Sequence, residues 1–281
     1  MPEITGLQLK ITPPFTFSQS SLQDYADCPR RFQLRYLERL AWPAVETQPV
    51  LENEQRMLEG QMFHRLAQQA VIGLPLERLE RLATGMNLKR WWEHFLLDLP
   101  HLKTLGQLHT EISLSASLGE HRLVAKYDLV AIQDGKAIIY DWKTSHKRPR
   151  DEWMSARFQT RVYRYLLIVA GAHLNTDTPF DPGQVEMVYW YADFPSEPAK
   201  FAYSAAQFKR DAAALEKLVA EITSAVDFLL TDDKTKCRFC PYRSYCGRGV
   251  EAGDWREAEA ESEGDQLDFD INLEQIAEIE F

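Results

Sequence analysis

The chain has 281 residues, 45% of them apolar, which can bury a sizeable core but is short for two large domains. No apolar run approaches a membrane span and no export signal opens the chain, so one main cytoplasmic domain without a membrane partner is expected. The formal charge of -10 argues against a phosphate partner, yet residues 251–281 hold 12 of the 42 acidic side chains and one of the 32 basic ones, Arg256; the first 250 residues balance 31 basic against 30 acidic, so nucleic acid is not excluded.

A first helix is expected from Ser20, where Ser20-Ser21-Leu22-Gln23 has capping-box spacing. It should break at Cys28-Pro29, with a second helical stretch to about Leu40. Residues 54–73 read as a helix carrying His64, and residues 85–98 as an aromatic-rich one. Residues 108–118, 122–133 and 136–142 read as strands, the last two joined by Asp134-Gly135, the pair that a two-residue type I′ hairpin prefers. A helix over 151–171, strands at 184–191 and about 199–203, and a long helix over 204–230 follow. This order suits an α/β layered domain better than a doubly wound parallel sheet. Basic side chains cluster within 30–39, 143–150, 157–164 and 236–248. The tail, residues 251–281, is expected to be disordered or to dock through the Leu, Ile and Phe of LDFDINLEQIAEIEF.

With Asp134-Gly135 as the loop, Gln133 pairs with Lys136, and the same register sets Asp128 across from Asp141, with Cβ atoms roughly 4.5–5.5 Å apart. Period-two alternation places Val124, Val130, Ile132, Ala137 and Ile139 on that face. It places Leu123, Ala125, Tyr127, Leu129, Ile138, Tyr140 and Trp142 on the other, so both faces are mostly apolar. Two carboxylates in such a place should each resist ionisation unless a divalent cation lies between them. A solvent-facing aspartate or a shared proton is the plainer alternative. Lys143, two residues past Asp141 on the same face, suits a lysine that holds a phosphate or orients a water beside a metal. Lys126 would lie opposite it in ideal register.

All four cysteines fall into one pattern, Cys28 alone and then Cys237-x2-Cys240-x5-Cys246. This spacing suits a thiolate site rather than a disulfide framework, and leaves zinc and an iron–sulfur cluster both open.

Asp128 within AKYDLVAI, and Asp141-Trp142-Lys143 within IIYDWKTS, resemble the second and third motifs of the RecB-like nucleases. That branch of the PD-(D/E)xK superfamily includes the RecB and AddB subunits and the CRISPR-associated exonuclease family. His64 in GQMFHRLAQQ resembles its N-terminal helical histidine, and Gln159 and Tyr163 in QTRVYRYLL its Q-x3-Y motif. With the cysteines, the resemblance spans about residues 18–248. It implies a restriction-endonuclease-like fold, a mixed central sheet flanked by helices, in a nuclease domain over residues 1–250. A helical iron–sulfur lobe would come from about 18–45 and 225–250. His64, Asp128, Asp141 and the Trp142 carbonyl would hold Mg²⁺ or Mn²⁺, Lys143 would assist hydrolysis of a DNA phosphodiester, and Gln159 and Tyr163 would support the site or contact DNA.

The distant Cys28-Pro29 followed by C-x2-C-P-x4-C is similar to the [4Fe–4S] arrangement of the CRISPR-associated and AddB-type enzymes. It implies a structural cluster on Cys28, Cys237, Cys240 and Cys246. The implied activity is that of an exonuclease or end-processing nuclease on single-stranded or frayed DNA, in recombination, repair or CRISPR adaptation. A helicase or CRISPR adaptation proteins would be its partners, and a scaffold subunit that cuts little is the alternative. Ala125 stands where the family often has Gly, Ala131 replaces a frequent acidic residue, and Asp141 is the shorter acid; none of these removes a ligand.

Overall fold

The expected hairpin forms. In a computed structural model, which describes residues 11–40, 47–254 and 256–257, β4 (His121–Gln133) and β5 (Lys136–Lys143) pair antiparallel from Gln133 opposite Lys136 to Leu129 opposite Tyr140. Asp134 and Gly135 both take positive φ, 52° and 77°, as a type I′ turn requires. β3 (Gln107–Leu118) runs antiparallel to β4, and a short unforeseen strand, β1 (Thr16–Ser18), lies parallel to the start of β4. β5 pairs in parallel with β6 (Val185–Tyr191), and β6 pairs antiparallel with β7 (Phe194–Ala202). The result is a six-stranded mixed sheet. A separate parallel pair joins β2 (Thr47–Gln48) to β8 (Gly253–Asp254). The expectations for the acidic tail fall almost wholly outside the described residues.

Helices cover the sheet on both faces: α1 (Gln19–Asp27), α2 (Pro29–Phe32), α3 (Val50–Val71), α4 (Leu76–Glu80), α5 (Met86–Leu102), α6 (Asp151–Ala156), α7 (Phe158–Ala170) and α8 (Ala205–Ser224). One core gathers Leu22 of α1, Val162 and Leu166 of α7 and Leu215 of α8. The other packs Phe63 of α3 and Trp91, Trp92 and Phe95 of α5 against Leu129, Trp142 and Trp190.

These cores show where simple alternation fails. Leu123, Ala125 and Tyr127 share a core with Val130, Ile132, Ala137 and Ile139, whereas Leu129 lies with Tyr140 and Trp142 in the other. β4 therefore turns over between Tyr127 and Val130. Across from this point Glu111 of β3 is left-handed, at φ 53°, and the ladder omits the Glu111–Asp128 pair while keeping its register on either side. A left-handed residue rotates the pleat, so alternation resumes with opposite parity. Lys126 forms an ion pair with Glu111, which corrects its expected place opposite Lys143.

Several helix boundaries also differ. Ser18, not Ser20, caps α1: its Oγ accepts the Ser21 N–H at 3.2 Å while Ser21 Oγ accepts the Ser18 N–H at 2.9 Å. From Pro29, four α-helical residues pass into a π turn, Gln33–Leu37. α3 begins at Val50, and α5 continues past Pro100. The single helix expected over 151–171 is broken at Arg157, whose ψ of 146° is extended. There Gln23 Oε1 accepts the freed Phe158 N–H at 3.2 Å, and Thr160 Oγ1 donates to the Met154 carbonyl at 2.6 Å. α8 is capped by Ser204 as expected but ends at Ser224, where Ala225 turns extended.

A left-handed glutamate within a strand makes an inverted preference testable. Glu111→Gly should be about 1 kcal/mol more stable than Glu111→Ala, the reverse of the usual strand order, because glycine takes positive φ without strain. Denaturant melts compare the two, and a more stable alanine variant would show that the turnover of β4 does not depend on this backbone conformation.

Candidate active site

Past Leu129 and Tyr140 the ladder between β4 and β5 stops. In place of the next backbone bond, Asp128 Oδ2 accepts the Trp142 N–H at 2.8 Å. The hairpin register thus brings Asp128 and Asp141 together, but across a parting of the strands rather than as a regular cross-strand pair.

Three further elements converge on this opening. α3 supplies His64, with Nδ1 3.2 Å from Asp128 Oδ1. One turn earlier Gly60 permits the close approach, since a Cβ there would lie 2.9 Å from Thr144 Oγ1. β5 supplies Lys143, whose Nζ is 2.8 Å from Asp141 Oδ2 and 5.3 Å from the centre of the Tyr189 ring. α7 supplies Gln159: its Nε2 donates to Asp141 Oδ1 at 2.7 Å and its Oε1 accepts from Lys143 Nζ at 3.1 Å. The break at Arg157 starts α7 so that Gln159 lies in its first turn, facing the strands. Tyr163, one turn on, is buried in the core between α7 and the sheet; its hydroxyl accepts from Gln19 Nε2 at 3.4 Å and its carbonyl from the Tyr127 hydroxyl at 2.8 Å.

The electrostatics are asymmetric. Burial pushes the Asp141 carboxyl up to about 6, against the pull of Lys143 and with the push of Asp128. For Asp128 burial acts upward too, but His64 and the Trp142 N–H hold it below the usual carboxylate range. Burial alone would lower His64; the Asp128 carboxylate outweighs it and raises the ring's pKa. The expectation that both aspartates resist ionisation is corrected here: the strain falls on Asp141, because Asp128 has the imidazole and a backbone donor.

His64 Nε2 and Asp141 Oδ2 are buried without a hydrogen-bond partner, the latter meeting Lys143 as a charge but without hydrogen-bond alignment. An imidazole nitrogen, carboxylate oxygens and a backbone carbonyl are the donors that Mg²⁺ or Mn²⁺ sites draw on. His64, Asp128, Asp141 and the Trp142 carbonyl therefore fit such an ion in kind. Among the described residues no three His, Cys, Asp or Glu side chains are drawn together tightly enough to hold an ion as they stand. The acids are instead engaged with His64, Lys143 and Gln159.

The four cysteines line one pocket together with Arg31, Lys236, Arg243 and Arg248. Cys28 stands between α1 and α2, Cys237 on the short helical turn Lys234–Phe239, and Cys240 and Cys246 follow it. All four are free thiols. Burial raises Cys240 to about 11 and Cys246 above its ordinary value, and Cys28 pushes both further up. Thiols are the donors that zinc and iron–sulfur clusters draw on, but among the described residues these four are not drawn together tightly enough to hold an ion as they stand.

One supporting group escaped the sequence reading. Arg56 of α3, 6% exposed, donates to the Thr144 carbonyl and meets His146 Nε2. His146 Nδ1 and Trp91 Nε1 both reach the Asp193 carboxylate, at 2.9 and 2.8 Å. This network braces the turn after Lys143. Its members come from α3, α5 and two separate turns, so no local motif announces it.

A mixed sheet whose central hairpin opens onto two acids and a lysine defines a class of nucleases. The chain belongs to the PD-(D/E)XK nuclease superfamily, whose family model matches residues 16–247. Among solved structures it is similar to SSO0001, with 14% identity over 84% of this chain and 87% of that one, at a TM-score of 0.38. It is also similar to a candidate exonuclease from Eubacterium rectale, with 9% identity over 73% and 79% of the two chains, at a TM-score of 0.46. Neither score is high enough to add to the family assignment. No curated protein matches the chain. Among the described residues, no helix is long and apolar enough to cross a membrane.

The raised Asp141 carboxyl sets a pH dependence. Its folded pKa of about 6 exceeds the ordinary 3.8, so folding favours the protonated form; that stability is present below about pH 4 and is lost as pH rises to about 6. In chelator, wild type should therefore lose stability relative to Asp141→Asn by about 1.4 kcal/mol per pH unit across that window, and level off above it. Denaturant midpoints at stepped pH measure the difference. If it stays flat, Asp141 ionises without strain and the asymmetry described above is wrong.

Proposed function

We propose that this protein is a metal-dependent deoxyribonuclease, an exonuclease or end-processing enzyme on single-stranded or frayed DNA in recombination, repair or CRISPR adaptation. The observation that carries this reading is the meeting, in one opening, of His64, whose buried Nε2 has no hydrogen-bond partner, with Asp128, Asp141 and a buried lysine 2.8 Å from Asp141 Oδ2. His64, Asp128, Asp141 and the Trp142 carbonyl hold Mg²⁺ or Mn²⁺, in keeping with a superfamily whose members generally use divalent metals. When bound, the ion supplies Lewis acidity toward the scissile phosphate and the counter-charge that lets both aspartates ionise. Lys143 offers its ammonium to a phosphate oxygen. Gln159, bonded to Lys143 and Asp141 at once, keeps that amine aimed into the opening. Tyr163 is a positioning residue that ties α7 to β4 through Tyr127. Basic side chains at 143–150 and 157–164 supply contacts to the DNA backbone. A helicase or CRISPR adaptation proteins provide the opened ends.

We also propose a [4Fe–4S] cluster on Cys28, Cys237, Cys240 and Cys246, a reading supported by their spacing, the prolines beside them and the one pocket that they line. Its role is structural. It closes a loop of roughly two hundred residues and ties the segment about 18–45 to the segment about 225–250.

End-labelled single- and double-stranded DNA with Mn²⁺ or Mg²⁺ tests the activity. Asp128→Asn, Asp141→Asn and Lys143→Ala should each reduce cleavage by about a hundredfold or more. Variants that cut as fast as wild type would remove the assignment. Protein purified without oxygen should be brown, absorb near about 400 nm and carry about four irons per chain, and Cys28→Ala should bleach it. Stoichiometric zinc without iron, in protein kept anaerobic throughout, would replace the cluster by a zinc site.

A further inference from the structure

α3 carries a second surface that the active site does not use. Leu51, Leu58 and Met62 are 80, 65 and 36% exposed, and their spacing of seven and then four residues sets them in one row along the helix. Met86, 83% exposed, stands beside this row, since its neighbour Asn87 donates to Glu59 of α3 at 2.7 Å. The row ends at exposed Arg65. One exposed leucine needs no explanation, but an aligned set on a helix that also serves the active site marks a docking face.

The chain supplies an occupant. Its last described residues lie at the foot of the row: β8 pairs with β2, two residues before α3, and Arg256 reaches Glu52 in the first turn of α3 at 3.0 Å. Residues 258–281 continue from there with nine acidic and no basic side chains, and the later part carries Leu267, Phe269, Ile271, Leu273, Ile276 and Ile279. The residues from 258 to 266 can reach about 30 Å when extended, whereas Leu51 to Met62 spans only about 17 Å of helix. The apolar part can thus reach every point of the row, and a tether this short holds it at an effective concentration of about millimolar order.

We propose that the row of Leu51, Leu58 and Met62 is the docking site of the C-terminal segment 267–281 of the same chain. Docked there, the segment's carboxylates lie within reach of exposed Arg65. The docking does not rest on the nuclease reading.

Hydrogen exchange on the full-length chain tests it, comparing wild type with Leu58→Asp and with the triple variant Ile271→Ser, Leu273→Ser, Ile276→Ser. Both variants should speed exchange of the amides of residues 50–62 about tenfold, with those of β4 and β5 unchanged as the internal control for folding. A triple variant whose α3 exchanges as slowly as wild type overturns the proposal. So does a wild-type dimer that Leu58→Asp, but not the triple variant, dissociates in sedimentation, since the row would then be an interface between copies. Cleavage is not a readout here, so loss of the nuclease reading would leave the result intact.

Discussion

The bond on which the site depends is the one from the Trp142 N–H to the Asp128 carboxylate. A backbone donor in a covered sheet has to be satisfied, and where β4 and β5 part it is satisfied by a side chain instead of the facing strand. The parting leaves an opening between the strands. Into it come a histidine from one side of the sheet and a lysine and glutamine from the other.

The surrounding structure keeps that gap open. Glu111 turns β4 over at the residue that departs from the ladder, which lets residues on both sides of Asp128 stay buried. Gly60 lets α3 come close enough to present His64. The Arg56, His146 and Asp193 network fixes the turn that follows Lys143. α1 joins the two halves of the molecule, since Gln23 receives the first N–H of α7 and Cys28 follows directly at its end. The cysteine pocket and the acidic opening therefore share a rigid element.

Much of this was legible in the sequence, and the failures have physical causes. Asp134-Gly135 specified its turn, the turn specified the register, and the register brought Asp128 to Asp141. The motif singled out Gln159, which bonds to Asp141 and Lys143, and the spacing grouped the cysteines, which line one pocket. Alternation misassigned Leu123, Ala125 and Tyr127 because it assumes an unbroken pleat, and no residue type signals a left-handed glutamate. The break at Arg157 was hidden because its cause, Gln23, lies far away in the chain. The two aspartates looked equivalent on paper, and only the three-dimensional arrival of His64 makes them differ.

The placement of Cys28 near one end of the chain and of its three companions near the other has a consequence for biosynthesis. The hairpin and its acids are local in sequence and can form while the chain is still emerging. The cysteine pocket cannot, because Cys28 leaves the ribosome roughly two hundred residues ahead of Cys237, a delay of about 10 to 40 seconds at ordinary elongation rates. During that interval Cys28 has none of the other three cysteines beside it. The pocket that the four line can therefore close only after most of the described chain has been made, whereas the acidic opening is framed much earlier.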